Sequence, residues 1–170
     1  LHCSIYGTPN LEELILPDSL KEFSLYGLED TKLYKNPENW EDGVFYIGNR
    51  AVAVDKNKAP ADLKIKDGTK HISMWACENN EKLTSLTFPD SLEKIDSVSF
   101  KQCTALKEIN FGKSLKFIGN SAFSGCTSLK EIDLPEGLTK IEYGAFESCG
   151  LEKITFPSTV ERLTVIFTFF

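Results

Sequence analysis

Ile65, Phe88, Phe111 and Leu134 follow one another at a constant interval of 23 residues, and each carries the same neighbours. A fixed period between about 20 and 50 residues means that one small unit, unable to bury its apolar side alone, stacks on copies of itself. The repeat therefore predicts a single linear array in which each coil touches only the next, not one closed core. It also directs the search for function to a surface, because such an array has no natural central cleft.

Aligned on its leucine-like positions, the chain repeats Leu-x-x-(Leu/Ile)-x-(Phe/Leu) at 83–88, 106–111, 129–134 and 151–156, the last copy arriving one residue early. Residues 11–16 fall in the same register, and 62–65 form a weaker copy. The alternating end of the motif predicts one short parallel strand per coil, with Ile109 and Phe111 pointing inward and Glu108 and Asn110 outward. Pro17, Pro89, Pro135 and Pro157 then occupy one equivalent position, where a residue without a backbone donor ends the strand and starts a corner. A second apolar pair follows in each coil, as in Leu92 with Ile95, Leu115 with Ile118, Leu138 with Ile141 and Val160 with Leu163, and is expected to line the other wall. Ser99-Phe100, Ala122-Phe123 and Ala145-Phe146 close the turn, the small residue letting coils approach and the phenylalanines filling the interior.

From Cys126 to Phe146 the chain reads Cys-Thr-Ser-Leu-Lys-Glu-Ile-Asp-Leu-Pro-Glu-Gly-Leu-Thr-Lys-Ile-Glu-Tyr-Gly-Ala-Phe. This run resembles the BspA-like leucine-rich repeats almost position for position. The resemblance extends clearly over residues 72–163 and more loosely over 4–28. It implies a right-handed leucine-rich repeat solenoid, formally α/β but β-rich in practice, with a parallel sheet on the concave face and little α-helix. It also implies a bacterial cell-surface or secreted protein associated with adhesion, without catalytic residues or a cofactor.

The interval from Leu16 to Ile65 is 49 residues, which is two periods plus three. Val44 to Ile47, then Gly48-Asn49, then Arg50 to Val54 reads as a β-hairpin around a two-residue turn. A hairpin insertion near 36–60 in a single domain spanning 1–170 is the expectation, against the alternative of two degenerate coils. Trp40, Phe45 and Tyr46 on it are candidate interface anchors, although packing onto their own solenoid is the plainer reading.

Cys103, Cys126 and Cys149 recur with the period, while Cys77 and Cys3 are out of phase. Equivalent side chains in coils about 4.8 Å apart all aim the same way, so this column reads first as buried thiols, with a disulfide between neighbours or a metal site as the alternatives. The two histidines, His2 and His71, stand beside no nucleophile or metal signature, and the glycines lie at turns rather than in a phosphate-cradling loop. No catalytic, cofactor or metal residue is therefore assigned. A net charge of −6 argues against nucleic acid as partner, and no stretch approaches the roughly 20 apolar residues that cross a bilayer.

What remains is the outward strand surface. One column runs Glu13, Asp62, Ser85, Glu108, Glu131, Lys153, and the other Ile15, Lys64, Thr87, Asn110, Asp133, Thr155. The candidate ligand-binding residues are Glu13, Ser85, Thr87, Glu108, Asn110, Glu131, Asp133, Lys153 and Thr155, toward an extracellular protein or glycan. A solvated polar face is the bland reading of the same columns, and a spacer segment of a larger surface protein is the alternative function. The apolar tail 164–170 departs from the repeat and is expected either to cap the last coil or to join a second molecule.

Overall fold

The computed structural model describes residues 5, 7–17, 19–20, 23, 26–160 and 162–163, the last two by their backbone. The tail 164–170, His2 and Cys3 lie outside the described residues.

Among the described residues helix is confined to one turn, α1 (Lys32–Lys35), capped by the Thr31 side chain accepting from the Tyr34 amide, and a 3-10 turn at Pro37–Asn39. The strands β1 (Trp40–Glu41), β2 (Val44–Ile47) and β3 (Arg50–Val54) then form an antiparallel ribbon. The turn between β2 and β3 is the expected Gly48-Asn49, with Gly48 in the left-handed region at φ +56°. The register pairs Phe45 with Ala53 and then Tyr46 with Ala51, so Val52 is an extra residue. This bulge lets β3 bury both faces. Val44, Ala51 and Val54 face the solenoid core, whereas Phe45, Ile47, Val52 and Ala53 face a second cluster with Phe23, Leu28 and Leu33.

Downstream, each repeat lays down two short strands. One wall holds β4 (Asp62–Lys64), β6 (Ser85–Thr87), β8 (Glu108–Asn110), β10 (Glu131–Asp133) and β12 (Lys153–Thr155). The other holds β5 (His71–Ile72), β7 (Lys94–Ile95), β9 (Phe117–Ile118), β11 (Lys140–Ile141) and β13 (Arg162–Leu163), in parallel register. The expectation of one strand per coil is thereby corrected. The apolar pairs do line the second wall, and Leu92, Ile95, Leu115, Ile118 and Leu138 are fully buried, but the backbone there also pairs. The hairpin is continuous with this wall, because β3 pairs in parallel with β5 through Arg50–His71 and Ala51–Ile72.

A third side closes each coil without strands, and its hydrogen bonds still run from coil to coil. The amides of Val98, Phe100 and Gln102 donate to the carbonyls of Asn120, Ala122 and Ser124 at 2.9, 2.8 and 2.7 Å. Those of Ser121, Phe123 and Gly125 repeat the pattern to Tyr143, Ala145 and Glu147. Two positions per coil take positive φ to allow this: Trp75, Val98, Ser121 and Gly144 in one column, Asn79, Gln102, Gly125 and Ser148 in the other.

Residues 11–16 match the repeat in letters but form no strand. The Leu33 amide donates to the Leu11 carbonyl at 2.7 Å, and Leu11, Leu14 and Leu16 pack into the Phe23 cluster. Glu13 and Ile15 consequently do not extend the outward columns, which start at Asp62 and Lys64. The Leu20 carbonyl receives the guanidinium of Arg50, which is fully buried between this N-terminal layer and the ribbon.

Candidate binding face

From β4 to β8 the first wall is in strict register: Asp62 beside Ser85 beside Glu108, and Lys64 beside Thr87 beside Asn110. The register resumes with Glu131 beside Lys153 and Asp133 beside Thr155. Buried Leu63, Leu86, Ile109 and Ile132 alternate with these residues, so each strand is anchored by one apolar side chain between two outward ones. Glu108, Asn110, Glu131, Asp133, Lys153 and Thr155 are exposed, and Ser85 and Thr87 are half-buried. Eight of the nine candidate residues thus share this wall, and Glu13 does not.

Neighbouring coils exchange polar contacts along the face. Ser85 Oγ and Thr84 Oγ1 donate to Asp62 Oδ1 at 3.0 and 2.9 Å, and within β8 Asn110 Nδ2 donates to Glu108 Oε1 at 2.9 Å. Lys153 stands 3.9 Å from Glu131, and Lys130 3.3 Å from Glu152. These exposed pairs contribute little stability, about 0–1 kcal/mol each, and leave the side chains able to re-pair with a partner.

Among the described residues the strand ladder breaks once on this wall. β8 pairs with β6, and β10 with β12, but β8 and β10 lie side by side without a ladder. A shallow depression of about 630 Å³, lined by Lys107, Thr127, Ser128, Lys130 and Glu131, opens at the start of these two strands. It brings two ammonium groups, two hydroxyls and a carboxylate together beside Glu108. Of these five residues only Glu131 was legible as a site candidate, since the break in pairing has no counterpart in the repeat pattern.

The hairpin aromatics have a different role. Phe45 is wholly buried. Trp40 meets Tyr34 edge-on at 4.9 Å, lies 5.4 Å from Phe45, and donates its indole N–H to the Tyr34 carbonyl at 2.7 Å. The Tyr46 hydroxyl accepts from the Lys66 amide at 3.3 Å, with the Lys66 ammonium 4.0 Å from its ring, and burial raises its phenol pKa. Phe45 and Trp40 therefore bind the ribbon to its own N-terminal layer, because the bulge turns that face of the hairpin inward.

The second wall carries a column that escaped sequence reading: buried Arg50, then His71, Lys94, Phe117 and Lys140 in one register. The Lys94 and Lys140 ammonium groups lie 5.1 and 5.3 Å from the Phe117 ring. Asp96 sits 2.6 Å from Lys94, and Glu142 pairs with Lys140. Lys94 and Lys140 thus each have a counter-ion two residues further along the chain, just past the end of the strand.

The cysteine column is interior. Cys77, Cys103, Cys126 and Cys149 are free thiols; Cys103 Sγ donates to the Cys77 carbonyl at 3.2 Å, Cys126 to Phe100 at 3.4 Å and Cys149 to Phe123 at 3.1 Å. A hydrogen bond to the neighbouring thiol, with burial, raises the pKa of Cys103 and of Cys126 well above the ordinary thiol range. Asn80 takes the cysteine position in its coil and donates to Cys77 Sγ at 3.5 Å.

The model of the BspA type leucine rich repeat region matches residues 56–166 in six copies. This chain belongs to that family. Among solved structures it is similar to a leucine-rich cell surface protein of Faecalibacterium prausnitzii, at 32% identity and TM-score 0.67, covering 77% of this chain and 35% of that one. It is also similar to a leucine-rich repeat protein of Bacteroides ovatus, at 29% identity and TM-score 0.58, covering 75% and 34%. The pneumococcal vaccine antigen PcpA shares the fold at 22% identity and TM-score 0.54, covering 75% and 36%. The chain thus spans about a third of the length of these relatives. No curated protein matches it.

Proposed function

We propose that the chain is a non-enzymatic binding module, displayed on a bacterial cell or secreted, that recognises an extracellular protein or glycan through the outward face of its first wall. The carrying observation is that the outward residues are held in one register yet differ from coil to coil. Asp62, Ser85 and Glu108 follow one another on one line, and Lys64, Thr87 and Asn110 on the next. Packing alone asks only that such positions be polar. A recognition surface needs rigid placement with varied chemistry, which stacked coils supply without ordering cost at binding.

The break between β8 and β10 places the depression at the middle of this face, where a buried contact contributes most. The cell-surface description of the Faecalibacterium relative supports the location. The test is a binding screen against matrix proteins, mucin and glycans with the wild-type chain and a variant carrying Glu108→Ala, Asn110→Ala, Glu131→Ala and Asp133→Ala. A spacer would bind nothing in either form.

A further inference from the structure

The two tryptophans of this chain are used in opposite ways. Trp40 is held by two aromatic rings and donates its N–H to a carbonyl. Trp75 is 48% exposed, and among the described residues its ring meets no other aromatic or cation and its N–H meets no acceptor. It also sits at φ +59°, in the column continued by Val98, Ser121 and Gly144. That conformation suits glycine or a small polar residue and costs a bulky one about 1–2 kcal/mol. The whole column takes this conformation with the coil-to-coil pairing, so at Trp75 it holds a half-exposed indole on a fixed backbone.

We propose that the ridge between the second wall and the third side, from Trp75 to Tyr143, binds an uncharged oligosaccharide, with Trp75 as its stacking platform. Tyr143 is 42% exposed three coils further on, about 14 Å away at the usual coil spacing. Between them the ridge presents Ser97, half-buried Val98, Asn120 and Ser121. Ser121 Oγ donates to Asn120 Oδ1 at 2.9 Å, which engages the oxygen of this exposed amide and leaves its NH₂ as the donor. A sugar ring has an apolar C–H face and a rim of hydroxyls. The indole takes the face, and its N–H, the Asn120 amide and the serine hydroxyls take the rim.

A protein hot spot is instead an aromatic anchor inside a dry, apolar patch, whereas here, apart from half-buried Val98, the residues between the two aromatics are hydroxyls and an amide. The carboxylates of Glu142 and Glu147 flank Tyr143 and Gly144, which disfavours acidic sugars. The proposal keeps the reading of the chain as a binding module but uses a different surface from the first wall, so each can fail alone.

The test is an array of neutral oligosaccharides probed with the wild-type chain, Trp75→Gly, Trp75→Tyr and the quadruple first-wall variant. Trp75→Gly should lose affinity roughly tenfold or more while melting at or above the wild-type temperature, since it relieves the backbone. Trp75→Tyr should retain partial binding, and the quadruple variant should bind as wild type. In a Trp40→Phe background, a bound neutral oligosaccharide should shield Trp75 fluorescence from acrylamide. Wild-type silence on the array, or binding that survives Trp75→Gly, would overturn the proposal. Neutral glycan bound by wild type but lost only in the quadruple variant would overturn it too, while supporting the first wall. Protein probes binding through Trp75 with no glycan bound would likewise count against it.

Discussion

The ring of Phe123 lies 5.3 Å from that of Phe100 with the two planes 6° apart, and Phe146 continues the stack at 5.6 Å and 4°. Each ring is one 23-residue period from the next, so the stack is the repeat itself expressed as packing. Phe100 and Phe123 are fully buried, while Phe146 is half-buried. Phe123→Ala should cost about 3–5 kcal/mol and Phe146→Ala clearly less. Urea unfolding followed by circular dichroism measures both. Because contacts run only between neighbouring coils, the Phe123 variant should also lose cooperativity, seen as a shallower transition.

Val98 is a β-branched residue at φ +63°, held there because its amide reaches the Asn120 carbonyl in the next coil. Val98→Gly should raise stability by about 1 kcal/mol, the relief of backbone strain exceeding the added chain entropy. Gly112→Ala should do the reverse: a Cβ there would stand 1.9 Å from the Pro89 carbonyl oxygen, backbone that cannot move aside. Thermal melts of the two variants should shift in opposite directions.

His71 links stability to pH. Burial first, then the charges of Arg50 and Lys94 and, more weakly, Lys70, lower its pKa to about 4, with Glu93 opposing. The unfolded chain titrates near 6.5 and binds more protons than the fold between these values. Stability is therefore complete above about pH 6.5 and declines as pH falls toward 4, by about 1 kcal/mol once solvent screening of this half-buried ring is allowed for. His71→Gln should flatten that part of the stability–pH profile in urea titrations at stepped pH.

The thiols should rank by position. Cys103 and Cys126 are fully buried and hold their protons, whereas Cys149 near the last coil is half-buried. Of the four described cysteines, iodoacetamide should modify Cys149 first and leave Cys103 and Cys126 unlabelled until the chain is unfolded, as mass spectrometry of the digest would show.

How much of this was legible in the sequence depends on the length of each signal. The first-wall strands alternate over three residues around a buried Leu63, Leu86, Ile109 or Ile132, and five copies made both the strand and its outward columns readable. Lys94-Ile95 and its equivalents are only two residues long, too short for an alternation to show. Residues 11–16 carry the motif, yet Leu14 packs against Phe23 and Leu28 rather than in the solenoid core; tertiary context outranked pattern. The positive-φ columns leave no signature, because Trp75, Val98 and Ser121 share one conformation without sharing chemistry. Of the candidate face, the columns from Asp62 onward were legible and the break between β8 and β10 was not, since it is a loss of pairing between residues that still fit the repeat.

The central claim is that the first wall recognises a partner. The most direct test is surface plasmon resonance of the wild-type chain and the Glu108, Asn110, Glu131, Asp133 quadruple alanine variant over immobilised matrix proteins, mucin and glycans, with melting curves to show that both are folded. The account predicts saturable binding by the wild type that falls at least roughly tenfold in the variant, a loss of about 1.4 kcal/mol or more. Saturable binding of equal strength by both proteins would contradict it.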